Sequence, residues 1–359
     1  MNLQTAVGKK HVFETLDGMR GIAAICVAFM HAQMMFRVWP YSGFLAVDFF
    51  FVLSGFVISY AYEERLKTGL SPLRFALIRL IRLYPLYILG VALALGERMI
   101  GAALHLGPAP TLDQAIAWPI LETLFLPVPA MFHPEANHLF PGLFPAWSLF
   151  FELIINIVYG FVGRYLTNSR LIAVVAIGGM LLIEQIVVRG SVDHGGSNAD
   201  YMMSFARVVY SFFAGIGIKR LYFSGKIHLK IRPMLCFPAL LALLFLPTTG
   251  LWVATYQAVC VLLIFPALVL VFAFARAHGF ERRVLLQLGI LSYPIYILHA
   301  PIIFLITRVQ MHFHSQGPAS SLVGRLLFVL ALSAGPYLAY RYYDLPARNA
   351  LARKFLYSK

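Results

Sequence analysis

The first long apolar segment of the chain carries two side chains that a membrane helix accommodates poorly. Residues 16–35 are long enough to cross a bilayer, yet they include Arg20 and His31. Their spacing on an α-helix places the two side chains within about 20° of one stripe and roughly 16 Å apart along the axis. Because an ionisable side chain at mid-depth is costly, this stripe is either satisfied by a neighbouring helix or functional.

The whole chain has the composition of a polytopic membrane protein. Of its 359 residues, 60% are hydrophobic and 12% are charged, whereas soluble domains average about 25% charged residues. The net charge of +14 lies in short clusters between apolar segments and not in one soluble patch, so we predict no nucleic-acid partner. The three cysteines lie in apolar runs without metal-like spacing, so we predict neither a disulfide framework nor a metal site.

Hydropathy predicts an all-α fold with about ten membrane-spanning helices. The predicted spans are residues 20–36, 43–62, 83–102, 146–163, 170–188, 202–219, 233–248, 252–275, 289–309 and 322–342. Most of the 29 Lys and Arg residues cluster at alternate ends of these spans, and the positive-inside rule therefore places both termini in the cytoplasm. No linker or repeat divides residues 1–359, so we predict one domain. After the last span, Asp344 ahead of Pro346 predicts a cap and a stop.

One further apolar stretch, residues 111–129, is interrupted by Asp113, a proline and Glu122. Counting it as a span would invert every later loop and remove the charge asymmetry. We therefore predict an interfacial or re-entrant segment. It belongs to an outer loop at about 97–145, which also contains the polar run 133–138.

Arg79 and Arg82 share one face of the helix that leads into the third predicted span. Ordinary anchoring at the cytoplasmic surface explains many such pairs. The alternative is a phosphate clamp, because a guanidinium group binds phosphate oxygens through two parallel hydrogen bonds. Arg20, predicted at the same depth, would add a third arm to that clamp.

The second predicted span carries Asp48 near its outer end and a Ser54-Gly55 pair near its middle. The small pair is typical of close helix packing, and no nucleophile elbow surrounds the serine. A buried carboxylate needs a partner, and we hypothesise that Asp48 pairs with His31 on the neighbouring helix.

The fourth predicted span carries Ser148 and Glu152 on one face, next to Trp147. The tryptophan is a normal interfacial aromatic residue. Three roles are open to Glu152: it could orient a histidine, bind a sugar hydroxyl or pair with a buried cation.

The ninth predicted span has a polar stripe formed by Ser292, Tyr296 and His299, at positions i, i+4 and i+7. The stripe begins on the cytoplasmic side and brings a second histidine to mid-membrane. Together with the stripe that ends at His31, it predicts a polar tunnel from the cytoplasm, with Glu152 approaching from the opposite face.

Six segments together resemble the acyltransferase 3 family of integral membrane O-acyltransferases, in the family's order and across nearly the whole chain. They are LDGMRGIAAICVAFMH (16–31), VDFFFVLSGFVI (47–58), IRLIRLYPLY (78–87), WSLFFE (147–152), LGILSYPIYILH (288–299) and YYDLP (342–346). The family usually has Glu where this chain has Asp344. The resemblance implies transfer of an acyl group, commonly acetyl from acetyl-CoA, to a hydroxyl of an envelope or secreted glycan or another glycosylated molecule.

The resemblance also implies roles for single residues. It assigns catalysis to His31 supported by Arg20, donor binding to Arg79 and Arg82, and importance without a settled role to Glu152 and His299.

The residues themselves fit this chemistry. A hydroxyl must lose its proton as it attacks a thioester, and histidine has a pKa near neutrality that suits such a base. We expect the CoA phosphates at the arginines and the thioester at His31. The remaining expected contacts are Ser292 and Tyr296 for the donor, and Asp48 and Trp147 for the acceptor that enters past Glu152.

Two alternatives come from other functional classes. A transporter also has mid-membrane ionisable residues, but the chain shows no inverted repeat and no paired broken helices. An export partner without catalysis would not need Arg20, His31 and Glu152. We expect an acyl-CoA-dependent acyltransferase in a bacterial inner membrane, with the bilayer and a glycan or other hydroxylated acceptor as its partners and without a metal.

Overall fold

The computed structural model describes residues 11–105, 111–132, 137–246, 250, 252–313 and 322–357. Within them the fold is helical, and the one β-type pairing is an isolated bridge between His138 and Ser197. The α-helices are α1 (Glu14–His31), α2 (Ala46–Lys67), α3 (Pro72–Ala103), α4 (Leu112–Thr123), α5 (Ala146–Val162), α6 (Asn168–Arg189), α7 (Tyr201–Tyr222), α8 (Cys236–Leu244), α9 (Val253–Val259), α10 (Phe265–Ala273), α11 (Gly279–Phe313), α12 (Leu322–Leu338) and α13 (Leu345–Leu356).

Eight helical segments of the described residues are long and apolar enough to cross a membrane, whereas hydropathy predicts ten. They are Gly43–Lys67, Pro72–Ala103, Ala146–Tyr165, Asn168–Arg189, Tyr201–Tyr222, Val253–Ala273, Gly279–Gln310 and Leu322–Leu356. The predicted span 20–36 corresponds to α1, whose first two turns carry Glu14, Asp17 and Arg20 and which ends at His31. The predicted span 233–248 is only a short apolar helix, Pro233–Leu244. The count is eight and not ten because α1 carries three charged residues and Pro233–Leu244 is too short.

The helix bundle has two ends with different chemistry. At the basic end, α1 begins and α2 and α7 finish, and Glu63 accepts hydrogen bonds from Lys219 and Arg220 at 2.8 Å each. At the loop end, α1 finishes and the segments 33–45, 124–132, 137–145 and 190–200 lie together. The basic end is the one that the sequence predicts to face the cytoplasm.

Helices α1 and α11 touch through their backbones. A methyl group on Gly21 would overlap the carbonyl group of Leu288, and one on Gly289 would overlap Asp17. Small residues at such a crossing let two membrane helices approach closely. This contact brings the polar stripes of the two helices face to face.

Helices α2 and α7 make a second close contact of the same kind. A methyl group on Gly55 would overlap the carbonyl oxygen of Phe212, and one on Gly215 would overlap that of Val52. The structure thus confirms the packing role predicted for Gly55. Ser54 does more than pack, because its hydroxyl donates a hydrogen bond to Glu152.

The predicted stop near Pro346 is wrong. After α12, a single π-helical turn at Ala339–Asp344 leads directly into α13. Pro346 comes directly after this π-helical turn, and the chain continues through it as a helix. Asp344 forms an ion pair with Arg348 at 2.6 Å.

Helix α4 and the loops around it cover the loop end. With 12 residues α4 is too short to span a bilayer of about 30 Å. After it, the backbone N–H of Leu139 donates to the carbonyl of Gly196 at 2.7 Å, which ties the segment 137–145 to the segment 190–200. Residues 133–136 of the predicted polar run, and the Asp113 side chain, lie outside the described part of the chain.

Candidate active site

A cavity of about 300 Å³ lies between helices α1, α2, α3, α5 and α11. Its charged lining consists of three arginines and one carboxylate, Arg20, Arg79, Arg82 and Glu152. Its other polar side chains are Ser54, Ser148, Ser292, Tyr293 and Tyr296. The sequence predicts that the arginines of α1 and α3 meet, and the structure places all three in this cavity.

Arg20 is held in the cavity by α11. Its Nε donates to the hydroxyl of Ser292 at 2.8 Å and its Nη2 to the carbonyl of Gly289 at 2.9 Å, while Asp17 lies 3.1 Å from Nη2. The guanidinium plane is therefore fixed by several hydrogen bonds. This geometry preorganises the positive charge for an anionic ligand.

Arg79 and Arg82 line the cavity from α3. Arg79 Nη2 lies 3.6 Å from Glu152 Oε1, but Arg79 Nε is buried and has no hydrogen-bond partner among the described residues. Arg82 lies over the ring of Tyr293, 6.0 Å from its centroid. A buried, unsatisfied guanidinium N–H is costly, so the cavity favours a ligand that accepts hydrogen bonds.

Glu152 lies on the same side of the site as the arginines, and the predicted approach from the opposite face is wrong. Its Oε1 accepts a hydrogen bond from Ser54 at 2.7 Å and faces Arg79. On α5 it stands one turn nearer the basic end than Ser148, which places it inside the arginine-lined cavity. Of the three roles open to Glu152, the structure shows pairing with a buried cation.

A wall closes the cavity towards the loop end. The hydroxyls of Tyr296 and Ser148 share a hydrogen bond at 2.6 Å, and the ring of Phe50 packs edge-on against Tyr296 at 5.5 Å. Both hydroxyl-bearing residues line the cavity, whereas neither His31 nor His299 belongs to its described lining. The histidines lie behind this wall.

His31 and His299 form a stacked pair. Nδ1 of His31 lies 3.1 Å from Nε2 of His299, and the two ring planes are 16° apart. Nδ1 of His299 lies 2.7 Å from the carbonyl oxygen of Tyr296. A carbonyl only accepts, so His299 is protonated on Nδ1, its Nε2 accepts, and His31 donates from Nδ1. This tautomer leaves Nε2 of neutral His31 with a free lone pair.

Asp48 pairs with Arg207 and not with His31, so the hypothesised Asp48–His31 contact is wrong. Arg207 donates from Nε to Oδ1 at 3.0 Å and from Nη2 to Oδ2 at 2.7 Å, and both side chains are buried. It also donates to the carbonyl oxygens of Phe44 and His194. A guanidinium fork matches a carboxylate better than an imidazole does.

Arg207 is a residue that sequence reasoning missed. An arginine in the half of a span that the positive-inside rule leaves uncharged is a signal for a buried partner. A carboxylate at the same depth, Asp48, was available in the second span. Matching the two would have predicted the pair.

Trp147 stacks on the Arg207 guanidinium, 5.3 Å from the ring centroid. Its indole also covers Gly195 and Gly196, whose φ values of 147° and 79° suit glycine, and a methyl group at either position would crowd the ring. Trp147 therefore fixes the segment 190–200 to the bundle. Asp48 and Trp147, the two residues predicted to bind the acceptor, thus both contact Arg207.

A second buried carboxylate, Glu122 on α4, holds the loop above the histidines. Its Oε1 accepts the backbone N–H of Gly142 at 2.6 Å, and Arg98 donates to the carbonyl of Pro141 at 2.6 Å. Phe144, two residues after Gly142, packs edge-on against His31, with the ring centroids 4.7 Å apart. Burial raises the pKa of Glu122 to about 7, against the opposing effects of the Gly142 N–H and of Arg98. From the sequence alone, Glu122 was predicted only to interrupt the apolar stretch 111–129.

Protein stability is expected to depend on pH through Glu122. Its pKa rises from 4.5 in the unfolded chain to about 7 in the folded protein, so the folded state binds the extra proton between these values. The free energy of unfolding therefore falls as pH rises through this interval, by ~3 kcal/mol at most. Thermal unfolding of the purified protein at pH 5 and pH 8 measures this. Glu122→Gln should lose the dependence, and exposed Glu184→Gln should keep it; equal behaviour of the two variants would contradict the assignment.

Comparison with known proteins places the chain in a family. The profile of the acyltransferase 3 family, described as an acyltransferase domain, matches residues 13–341. The chain is 38% identical over 180 residues to "Protein 2 in picA locus" of Rhizobium radiobacter, which covers 48% of this chain and 93% of that protein. It is 29% identical over 292 residues to the exopolysaccharide production protein ExoZ of Rhizobium meliloti, covering 77% of this chain and 82% of that protein. No solved structure matches the chain. The chain therefore belongs to the acyltransferase 3 family and is an integral membrane acyltransferase.

Proposed function

We propose that the protein transfers an acyl group, acetyl in the simplest case, from acyl-CoA to a hydroxyl of a polysaccharide or of its lipid-linked precursor. One observation carries this proposal. A cavity with three arginines lies on the basic side of a wall, and a paired histidine with a free lone pair lies on the other side. The arginine cavity suits the donor, because acyl-CoA is anionic. The histidine pair suits the acceptor, because the acceptor hydroxyl must lose its proton.

The donor binds from the basic end, which we place in the cytoplasm. Arg20, Arg79 and Arg82 meet the CoA phosphates, and the unsatisfied Nε of Arg79 gains an acceptor there. The pantetheine arm follows Ser292 towards Tyr296. Glu152 does not contact the phosphates in this arrangement; it positions Arg79.

The histidine pair performs the proton transfer. Nε2 of His31 takes the proton from the acceptor hydroxyl as the hydroxyl oxygen attacks the thioester carbonyl. The new C–O bond forms, the C–S bond breaks, and the proton leaves with the CoA thiol. His299 receives the Nδ1–H of His31 and is itself held by the Tyr296 carbonyl, so it orients the base and stabilises its charged form.

The acceptor arrives at the loop end. The relative ExoZ is named for exopolysaccharide production, and both relatives are bacterial, which supports a glycan acceptor and a bacterial inner membrane. Asp48 and Trp147 hold Arg207 and the segment 190–200. We therefore assign them to shaping the loop end at which the glycan binds.

The test uses protein in nanodiscs, labelled acetyl-CoA and an alkali-treated exopolysaccharide, whose ester groups have been removed. Arg79→Ala with Arg82→Ala should raise the KM for acetyl-CoA by more than about 100-fold, because each of the two lost charged hydrogen bonds is worth ~1.5–3 kcal/mol. Arg74→Ala, an exposed arginine on the same helix but outside the cavity, should leave KM unchanged.

Equal KM values in the double variant and in Arg74→Ala would contradict the donor site. If the wild type neither binds acetyl-CoA nor labels the polysaccharide, the acyltransferase proposal fails. Transport of the polysaccharide would then be the function to measure.

A further inference from the structure

The histidine pair is not part of the described lining of the arginine cavity. The wall between them is made by the shared hydrogen bond of Tyr296 and Ser148, with Phe50 packed edge-on against the tyrosine ring. His299 lies directly behind it, its ring centroid 6.0 Å from that of Tyr296. While the Tyr296–Ser148 hydrogen bond is formed, these two side chains therefore stand between a thioester in the cavity and His31.

We propose that Tyr296 and Ser148 determine whether the acyl group reaches the acceptor hydroxyl or is lost to water. This inference rests on the proposed function and adds to it a choice between two nucleophiles. We expect water to reach His31 when no acceptor is bound, because His31 is the last residue of α1 and its ring lies against Phe144 of the loop segment that precedes α5. A base that activates a sugar hydroxyl also activates water, and a thioester left beside it would be hydrolysed.

Tyr296 contacts both the wall and the histidine pair. Its hydroxyl bonds Ser148 on α5, while its backbone carbonyl accepts from Nδ1 of His299. The histidine pair therefore keeps its orientation when the tyrosine ring turns, because the contact to His299 is made by the backbone. Opening the wall needs rotation of one side chain and no change in the histidine tautomers.

The helix around Tyr296 is suited to a local adjustment. Pro294 and Pro301 lie within α11 on either side of it, and each removes one backbone hydrogen bond of the helix. Proline is a frequent cause of bending in helices. The segment that carries both Tyr296 and His299 therefore lacks two backbone hydrogen bonds of α11, while Gly289, about two turns earlier, packs closely against α1.

The test compares acetyl-CoA hydrolysis without acceptor and acetyl transfer with the alkali-treated exopolysaccharide. Tyr296→Phe and Ser148→Ala each remove the 2.6 Å hydrogen bond between the two hydroxyls, and each also removes a longer contact to the Pro145 carbonyl, of 3.4 Å and 3.2 Å respectively. Each should raise the ratio of hydrolysis to transfer by roughly 3- to 10-fold, the value of one hydrogen bond, and the double variant should add nothing further. Tyr337→Phe and Ser333→Ala are the matched controls, because they lie on α12 outside the site, and they should keep the wild-type ratio.

The ratio distinguishes this role from a structural one. A variant that merely loosens the site would lower hydrolysis and transfer together and leave the ratio unchanged, and that result would overturn the inference while the proposed function stands. Additive effects of the two substitutions would overturn it as well. A wild-type protein that neither hydrolyses nor transfers the label would overturn the proposed function and this inference with it.

Discussion

Replacement of His31 by alanine is expected to reduce acyl transfer by about 10²- to 10⁴-fold, the usual contribution of a general base. The tautomer derived from the Tyr296 carbonyl leaves Nε2 of His31 as the nitrogen that can take a proton. Alanine removes this lone pair and leaves His299 without its donor. Transfer of labelled acetyl from acetyl-CoA to the polysaccharide measures the loss.

Two controls separate loss of the base from loss of the fold. His228→Ala removes an exposed histidine from the loop between α7 and α8 and should retain full activity. His31→Ala should still bind acetyl-CoA with the wild-type affinity, because the arginine cavity does not include His31. Retained transfer in His31→Ala at a normal expression level would exclude this histidine as the base.

Replacement of Asp48 by alanine is expected to destabilise the protein by ~3–5 kcal/mol, since removal of one partner leaves a buried charge uncompensated. Arg207 is 2% exposed and Asp48 is fully buried, so no solvent can replace the carboxylate. The two side chains also join α2, α7 and the segment 190–200 at one point. Thermal unfolding in detergent, followed by size-exclusion chromatography of the folded fraction, measures the loss.

The matched control is Glu64→Ala, which removes one side of the exposed ion pair between Lys67 and Glu64 and should cost less than 1 kcal/mol. A second comparison tests the cause. The double variant Asp48→Leu with Arg207→Met removes both charges together and should be more stable than Asp48→Ala alone. Equal stability of Asp48→Ala and Glu64→Ala would show that the pair contributes nothing.

The site combines rigid and adjustable parts, and each has a physical cause. Arg20 and the histidine pair are fixed because the glycine contacts at Gly21 and Gly289 hold α1 directly against α11. The wall at Tyr296 depends on neutral hydrogen bonds among Tyr296, Ser148 and the Pro145 carbonyl. Breaking one of them costs less than leaving one partner of the Asp48–Arg207 pair uncompensated. We therefore expect a bound donor to displace the wall without disturbing the bundle.

Several features of this protein follow from the sequence alone. The helical periodicity places Arg20 and His31 on one stripe and Ser292, Tyr296 and His299 on another, because side-chain direction along a helix is a local property. The shared face of Arg79 and Arg82 follows from the same rule. Hydropathy identifies the all-α membrane class, and the structure agrees with it within the described residues.

The helix ends were less predictable. α1 ends at His31, although the apolar segment runs on to residue 35, and the chain passes Pro346 without stopping. Apolar composition does not tell a helix from a 3₁₀ turn such as Gln33–Met35, and a helix can continue past a proline that follows a π-helical turn. Local sequence therefore predicts which segments are helical better than it predicts the residues at which those helices end.

Only the tertiary structure decided which polar groups meet. Asp48 pairs with Arg207, which lies more than 150 positions further along the chain, and Glu152 pairs with Ser54 and Arg79. His31 finds His299, and the wall at Tyr296 separates them from the arginines. Hydrogen bonds change strength within a few tenths of an ångström, and such distances depend on how helices cross and not on the spacing within any one of them.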